Sequence, residues 1–216
     1  MGLARRAPHP CNLTKLYSVP VPAPEEGRIL PMSKDSPASP PPAATPLTRA
    51  VLEIDTYAAG LGWDQPARLF ALVDTGRLRA EEPELAERLG LDEGAAAGTL
   101  TPVEQEEVPA DVPLDEFLAT IGWPDAVAGC ALTIERLMLP PSAEASVPED
   151  LDEAALAAWV AKHPERQEVR MTVAVLRDGD RESALRLREK DSELDVLTGS
   201  DLVPGLAQAL EATFAA

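Results

Sequence analysis

Histidine is almost missing from this sequence: only His9 and His163 occur in 216 residues. Histidine is the commonest general base and metal ligand, so one in the body of the chain argues against Ser-His-Asp, Cys-His and His-rich zinc chemistry. His163 precedes Pro164 and reads as the cap of a helix end. Cysteine is equally scarce. Cys11 and Cys130 cannot build a disulfide framework, which points to a reducing compartment, the cytoplasm. Neither G-x-x-x-x-G-K-[ST] nor G-x-G-x-x-G occurs, so the two common phosphate cradles are not encoded. No apolar run approaches the roughly 18 residues that span a bilayer. Arg5 and Arg6 have no apolar stretch behind them, as a signal peptide needs, and Arg6 stands where a myristoylation motif wants Ser or Thr.

Positive charge is the other deficit. Against 37 acidic residues stand 19 basic ones, a net of -18, and such a surface repels nucleic-acid backbones and anionic lipid. The expected partners therefore exclude both. Aromatic residues make up 4%, so the core must be aliphatic, with three tryptophans.

What remains is ordinary for a globular chain: 45% hydrophobic and 26% charged residues. Eleven of the 22 prolines fall in the first 46 residues, where hydrophobic periodicity is absent; residues 1–46 read as a disordered tail and 47–216 as a single domain. Met32-Ser33-Lys34-Asp35 resembles a bacterial start, and Glu25-Glu26-Gly27 implies a purine-rich stretch just upstream, so 1–31 is expected to be a misplaced start. Peptides from Leu16 to Arg28 in native cells would sink that idea.

Thr45-Pro46 opens a helix with Leu47, Val51, Ile54, Tyr57 and Leu61 at helical spacing. Arg68–Asp74 reads as a buried strand, Glu81–Leu89 as a short helix, and Thr99–Val103 as an edge strand. Leu114, Phe117, Leu118 and Ile121 form one helical face. From Ala128 a strand alternates Cys130, Leu132 and Ile134 against Gly129, Ala131, Thr133 and Glu135. A helix with Leu151, Leu156 and Trp159 follows, then a hairpin of 169–176 and 183–188 with a three-residue turn at Asp178-Gly179-Asp180. Ser200 or Asp201 should cap a last helix whose Leu202, Leu206, Leu210 and Phe214 face the sheet. The fold class is α+β: an antiparallel sheet of four or five strands flanked by helices, the C-terminal one packed on the sheet.

Few residues suggest chemistry. Cys130 sits on an apolar strand face and reads as a structural thiol. Asp178-x-Asp180 lacks the further ligands of a calcium loop. Thr198-Gly199-Ser200-Asp201 could offer N–H groups to an anion, but Asp201 would occupy that position itself. Gly62-Trp63 and Gly122-Trp123 read as a shared helix ending, the Gly left-handed and the Trp folded back. No catalytic, cofactor or metal site is expected. Arginines are the exception: the hairpin register sets Arg170 opposite Arg188 and Thr172 opposite Arg186 on one face, and like charges across a ladder need an anion nearby. That anion is either the protein's own carboxylate or an acidic segment of a partner.

The runs GWPDAVAGCALTIERLMLPP, HPERQEVRMTVAVLRDGDRESALRLRE and LTGSDLVPGLAQAL resemble an uncharacterised family of acidic actinobacterial proteins, over about 45–216. That resemblance implies a cytoplasmic protein, brings no activity, and agrees with a start at Met32. The element order is also loosely similar to the secretion-chaperone-like fold used by some bacterial regulators, commonly dimers that bind polypeptides; helices near Glu84 and Leu114 depart from it. The expected function is non-enzymatic protein binding, chaperone-like or adaptor-like, with a protein partner or a homodimer expected. The alternative is a small-molecule binder or a carboxylate-dependent enzyme.

Overall fold

The computed structural model describes residues 44–88, 90–91, 98–105, 108–144, 146–148 and 151–215. The expectations for residues 1–43, the tail and the start at Met32 among them, lie outside the described residues.

Helix α1 (Pro46–Gly60) begins where Thr45 Oγ1 accepts the Thr48 N–H at 3.0 Å, with Pro46 in the first turn where its missing N–H costs nothing. Strand β1 (Arg68–Asp74) follows. The one helix expected at Glu81–Leu89 is instead two: Asp74 caps α2 (Thr75–Glu81) by accepting the Arg77 N–H at 2.8 Å, and α3 spans Pro83–Arg88. Pro83 steers Glu82 out of helical geometry, which forces the break. Next come β2 (Leu100–Glu104), α4 (Leu114–Leu118), β3 (Val127–Met138), α5 (Pro141–Glu144), and α6 (Glu153–Val160), capped by Asp152. The chain ends with β4 (Gln167–Leu176), β5 (Arg181–Leu187), two single 3-10 turns, β6 (Leu197–Gly199) and α7 (Pro204–Ala212). The last helix starts later than Ser200 or Asp201 because Val203 precedes a proline and is held out of helical geometry, at φ -135° and ψ 65°.

All six strands form one antiparallel sheet in the order β2-β1-β3-β4-β5-β6. The strand beyond the expected four or five is β6, whose three residues are too few to leave an alternation pattern. Helix α7 packs on one face, where Leu206 and Leu210 meet Cys130, Leu132, Met171, Val173 and Val175. Helix α1 covers the other, setting Val51 and Ile54 on Ala131, Ala174 and Ala184. Those alanines let the helix sit close. Further along the same face the sheet residues lengthen to Thr133 and Thr172, then Arg170, Arg186 and Glu135.

The hairpin register corrects the expected one by two residues. Arg170 pairs with Arg186, Thr172 with Ala184, Met171 with Leu185 and Val173 with Ser183. The loop does hold three residues, but they are Arg177-Asp178-Gly179, closed by the Leu176 N–H on the Asp180 carbonyl at 2.8 Å. Gly179 decides this: a three-residue loop ends in a left-handed residue, and Gly179 takes φ +95°. A shift of two keeps every side chain on its face while changing its neighbour.

Candidate functional site

The arginine face is where the sheet's ionic residues converge. Arg186 is buried, and its Nη2 reaches the equally buried Asp55 Oδ2 at 2.6 Å while Nη1 reaches Asp191 Oδ1 at 3.2 Å. Arg170, 1% exposed, donates from Nη2 to Glu135 Oε1 at 2.8 Å and to the Gly62 carbonyl. Thr172 is also buried and donates to Thr133 Oγ1 at 3.1 Å. Arg188 lies just past β5 with an exposed head, pairing with Asp64 at 2.9 Å and with Glu168. Of the four residues singled out from the sequence, three are internal and one is on the surface. Their anions come from α1, from the α1–β1 connector, from β3 and β4, and from the loop after β5.

The connector, residues 61–67, lies across this end of the sheet. Trp63 holds it there. The Arg170 and Arg188 guanidinium carbons stand 4.3 and 5.6 Å from its ring centroid, and its indole N–H donates to Asp191 Oδ2 at 2.8 Å. Asp64 sits at φ +65°, a left-handed geometry that Asp tolerates better than most residues, with its N–H on Glu135 Oε2 at 2.7 Å. The Arg188 hydrogen bond holds the Asp64 carboxyl below its usual range. For Asp191 the Trp63 indole does the same, helped by Arg186. Asp55 in turn raises Arg186 above the ordinary guanidinium value. The result is five carboxylates around three guanidiniums, a set that locks connector, helix and loop together.

Gly62-Trp63 and Gly122-Trp123 are not one device. Gly62 is left-handed at φ +86° and Gly122 is not. Trp123 packs 6.3 Å from Phe214 and donates to Thr213 Oγ1 at 2.9 Å, tying the α4–β3 link to the end of α7. His163 stands at the end of α6 against Trp159, 4.9 Å between centroids. Asp178 accepts the Asp180 N–H at 3.2 Å inside its turn. No group of three or more His, Cys, Asp or Glu residues among those described could hold a metal ion.

Cys130 is fully buried, 3.9 Å from the Leu210 carbonyl and from Thr213 Oγ1, and burial pushes its thiol up to about 12. In a Cys11→Ala background the folded protein is therefore expected to stay unlabelled by thiol reagents at pH 8 and to take one label on unfolding. The unfolded thiol ionises from about 9.0, so this contribution to stability is present below pH 9 and lost as pH rises toward 12. Cys130→Ala should flatten that alkaline decline relative to wild type, by up to about 1.4 kcal/mol per pH unit. Equal slopes in alkaline urea titrations would refute this.

Asp55, Trp63, Asp64, Glu135 and Asp191 escaped the sequence reading as site residues. Asp55 had left a signal: it occupies the position four after Val51, inside the apolar stripe of α1.

An α+β domain with one antiparallel sheet between helices, and an ionic clamp of arginines and carboxylates at one end of that sheet, is what these observations define. The chain belongs to the PPA1309-like protein family, whose model matches residues 47–215. No curated protein and no solved structure matches it. No helix among the described residues is long and apolar enough to cross a membrane.

Proposed function

We propose that this is a cytoplasmic, non-enzymatic protein-binding domain of the adaptor or chaperone kind, and that it presents the loop after β5 to its partner. The observation behind this reading is Leu194, 96% exposed on the short turn Glu193–Asp195. The loop beneath it is tied down: Asp191 is held by Arg186 and Trp63, Ser192 Oγ accepts the Leu194 N–H at 3.2 Å, and half-buried Val196 packs against the core on the α1 side. A pre-ordered loop loses little entropy on docking, which favours a recognition role for a leucine held this far out. Leu197, three residues further on in β6, is also exposed, at 40%.

Exposed Glu193 and Asp195 flank Leu194 in sequence and exposed Glu189 stands earlier in the same loop, so the fitting partner offers an apolar pocket with a basic rim. On this reading Arg186 acts indirectly, as the anchor of Asp191, with Arg170 and Thr172 beneath the connector and Arg188 at the exposed foot of the loop. Leu194→Asp should leave stability within about 0.5 kcal/mol of wild type, as surface changes do, while abolishing partner capture from native extract. Cross-links to the partner should form at Lys190, beside the loop, and not at Lys162. Capture that survives Leu194→Asp, or a lone species carrying a small bound molecule, would overturn the reading.

A further inference from the structure

Under the connector, between α1 and β3, lies a cavity in which the centre of a water molecule has about 10 Å³ of room. Arg170 forms part of its wall. Two nitrogens of that guanidinium are taken, Nε and Nη2, by Glu135 and the Gly62 carbonyl. The third, Nη1, is buried and has no hydrogen-bond partner among the described residues. A buried cationic N–H without an acceptor carries its full desolvation cost, and native interiors rarely leave one so.

The cavity matches the space one water needs, and internal waters sit where two to four polar groups converge. Thr133 and Gln65, whose side chains both carry an oxygen, line the same cavity. The occupant must accept from Nη1, which rules out a cation. With Arg68 and Arg170 sharing the wall with Glu135, it is the size of the space, room for one water centre, that excludes a bulkier anion. We propose that the cavity is a hydration site, holding one internal water that accepts from Arg170 Nη1 and donates to side-chain oxygens of the wall. The connector is thereby seated on the sheet through a water molecule as well as through Trp63.

A crystal structure of the full chain at a resolution that shows ordered water is the test, paired with water-to-protein NOEs at the Arg170 guanidinium. One ordered water within hydrogen-bond distance of Nη1, with a matching NOE, is expected. In Ala58→Val the added methyls fill the cavity, and both signals should vanish; should that variant not fold, Gln65→Leu removes an acceptor from the exposed connector and should weaken them. A well-ordered map with nothing at Nη1, with Nη1 bonded directly to a protein oxygen, or with an ion in the cavity would overturn the proposal. So would an unchanged NOE in the variants.

Discussion

Arg186→Ala is expected to lower folding stability by about 3–5 kcal/mol, the usual cost of breaking a buried ion pair from one side. The reason is what it leaves behind. Asp55 is 1% exposed, and among the described residues every hydrogen bond to its carboxylate comes from Arg186. Without the guanidinium, a carboxylate stays under α1 with neither water nor partner. The reverse change is milder, since in Asp55→Ala the guanidinium keeps Asp191 at its other edge; about 2–3 kcal/mol is expected for the lost charged hydrogen bonds. The double variant Asp55→Leu with Arg186→Met should recover to within about 1 kcal/mol of wild type, because an apolar pair of similar volume has no charges to desolvate. Urea titrations of the four proteins decide it. Single variants that each cost under about 1 kcal/mol would show the pair to be dispensable.

The double variant also separates stability from recognition. It removes the Arg186 anchor of Asp191 while restoring the core, so Asp191 keeps only its hydrogen bond from Trp63 and the Leu194 loop is held less firmly. Weaker partner capture at restored stability is what the proposed role of that loop requires.

The elements that could be read from the sequence were those whose pattern is local. The RLFALVD strand, the Thr45-Pro46 start and the alternation around Cys130 each rest on periodicity or capping, which neighbours in sequence determine. What failed to show itself was pairing. The hairpin offered two three-residue loops, both keeping the apolar residues on one face, and only the left-handed demand on Gly179 separates them. Arg170 and Arg188 therefore looked like a clash across a ladder, whereas Arg170 and Arg186 are the facing pair and each has its own carboxylate, Glu135 and Asp55. Trp63 was invisible for a related reason: its partners lie more than 100 residues away, at Arg170, Arg188 and Asp191. The ionic set is long-range, and within a single element only Asp55, set in the apolar stripe of α1, hints at it.

Gly129→Ala is expected to cost about 3 kcal/mol, near the upper end for overpacking a well-filled interior. Its backbone is not left-handed, so the demand is for space, not for torsional freedom. A methyl added there would stand 2.5 Å from the Val175 carbonyl oxygen and 2.5 Å from Leu176 Cδ2. Leu176 could turn aside, but the carbonyl belongs to β4 at the centre of the sheet. It is also fixed from beyond the hairpin, because Arg177 donates to the carbonyls of Val127, Trp123 and Pro124. The opposite side of Gly129 offers no relief: the β1–β3 register slips between Leu72 and Val73, so the strand is already bulged there. Leu176→Ala should consequently fail to rescue Gly129→Ala, since it clears one contact of two. Gly122→Ala supplies the control, with ordinary φ and nothing within 4 Å of the added carbon, and should change stability by less than about 1 kcal/mol. If Gly129→Ala unfolds at the same urea concentration as Gly122→Ala, β4 yields at its centre, and the close approach of β3 to Val175 is not what holds the sheet in register.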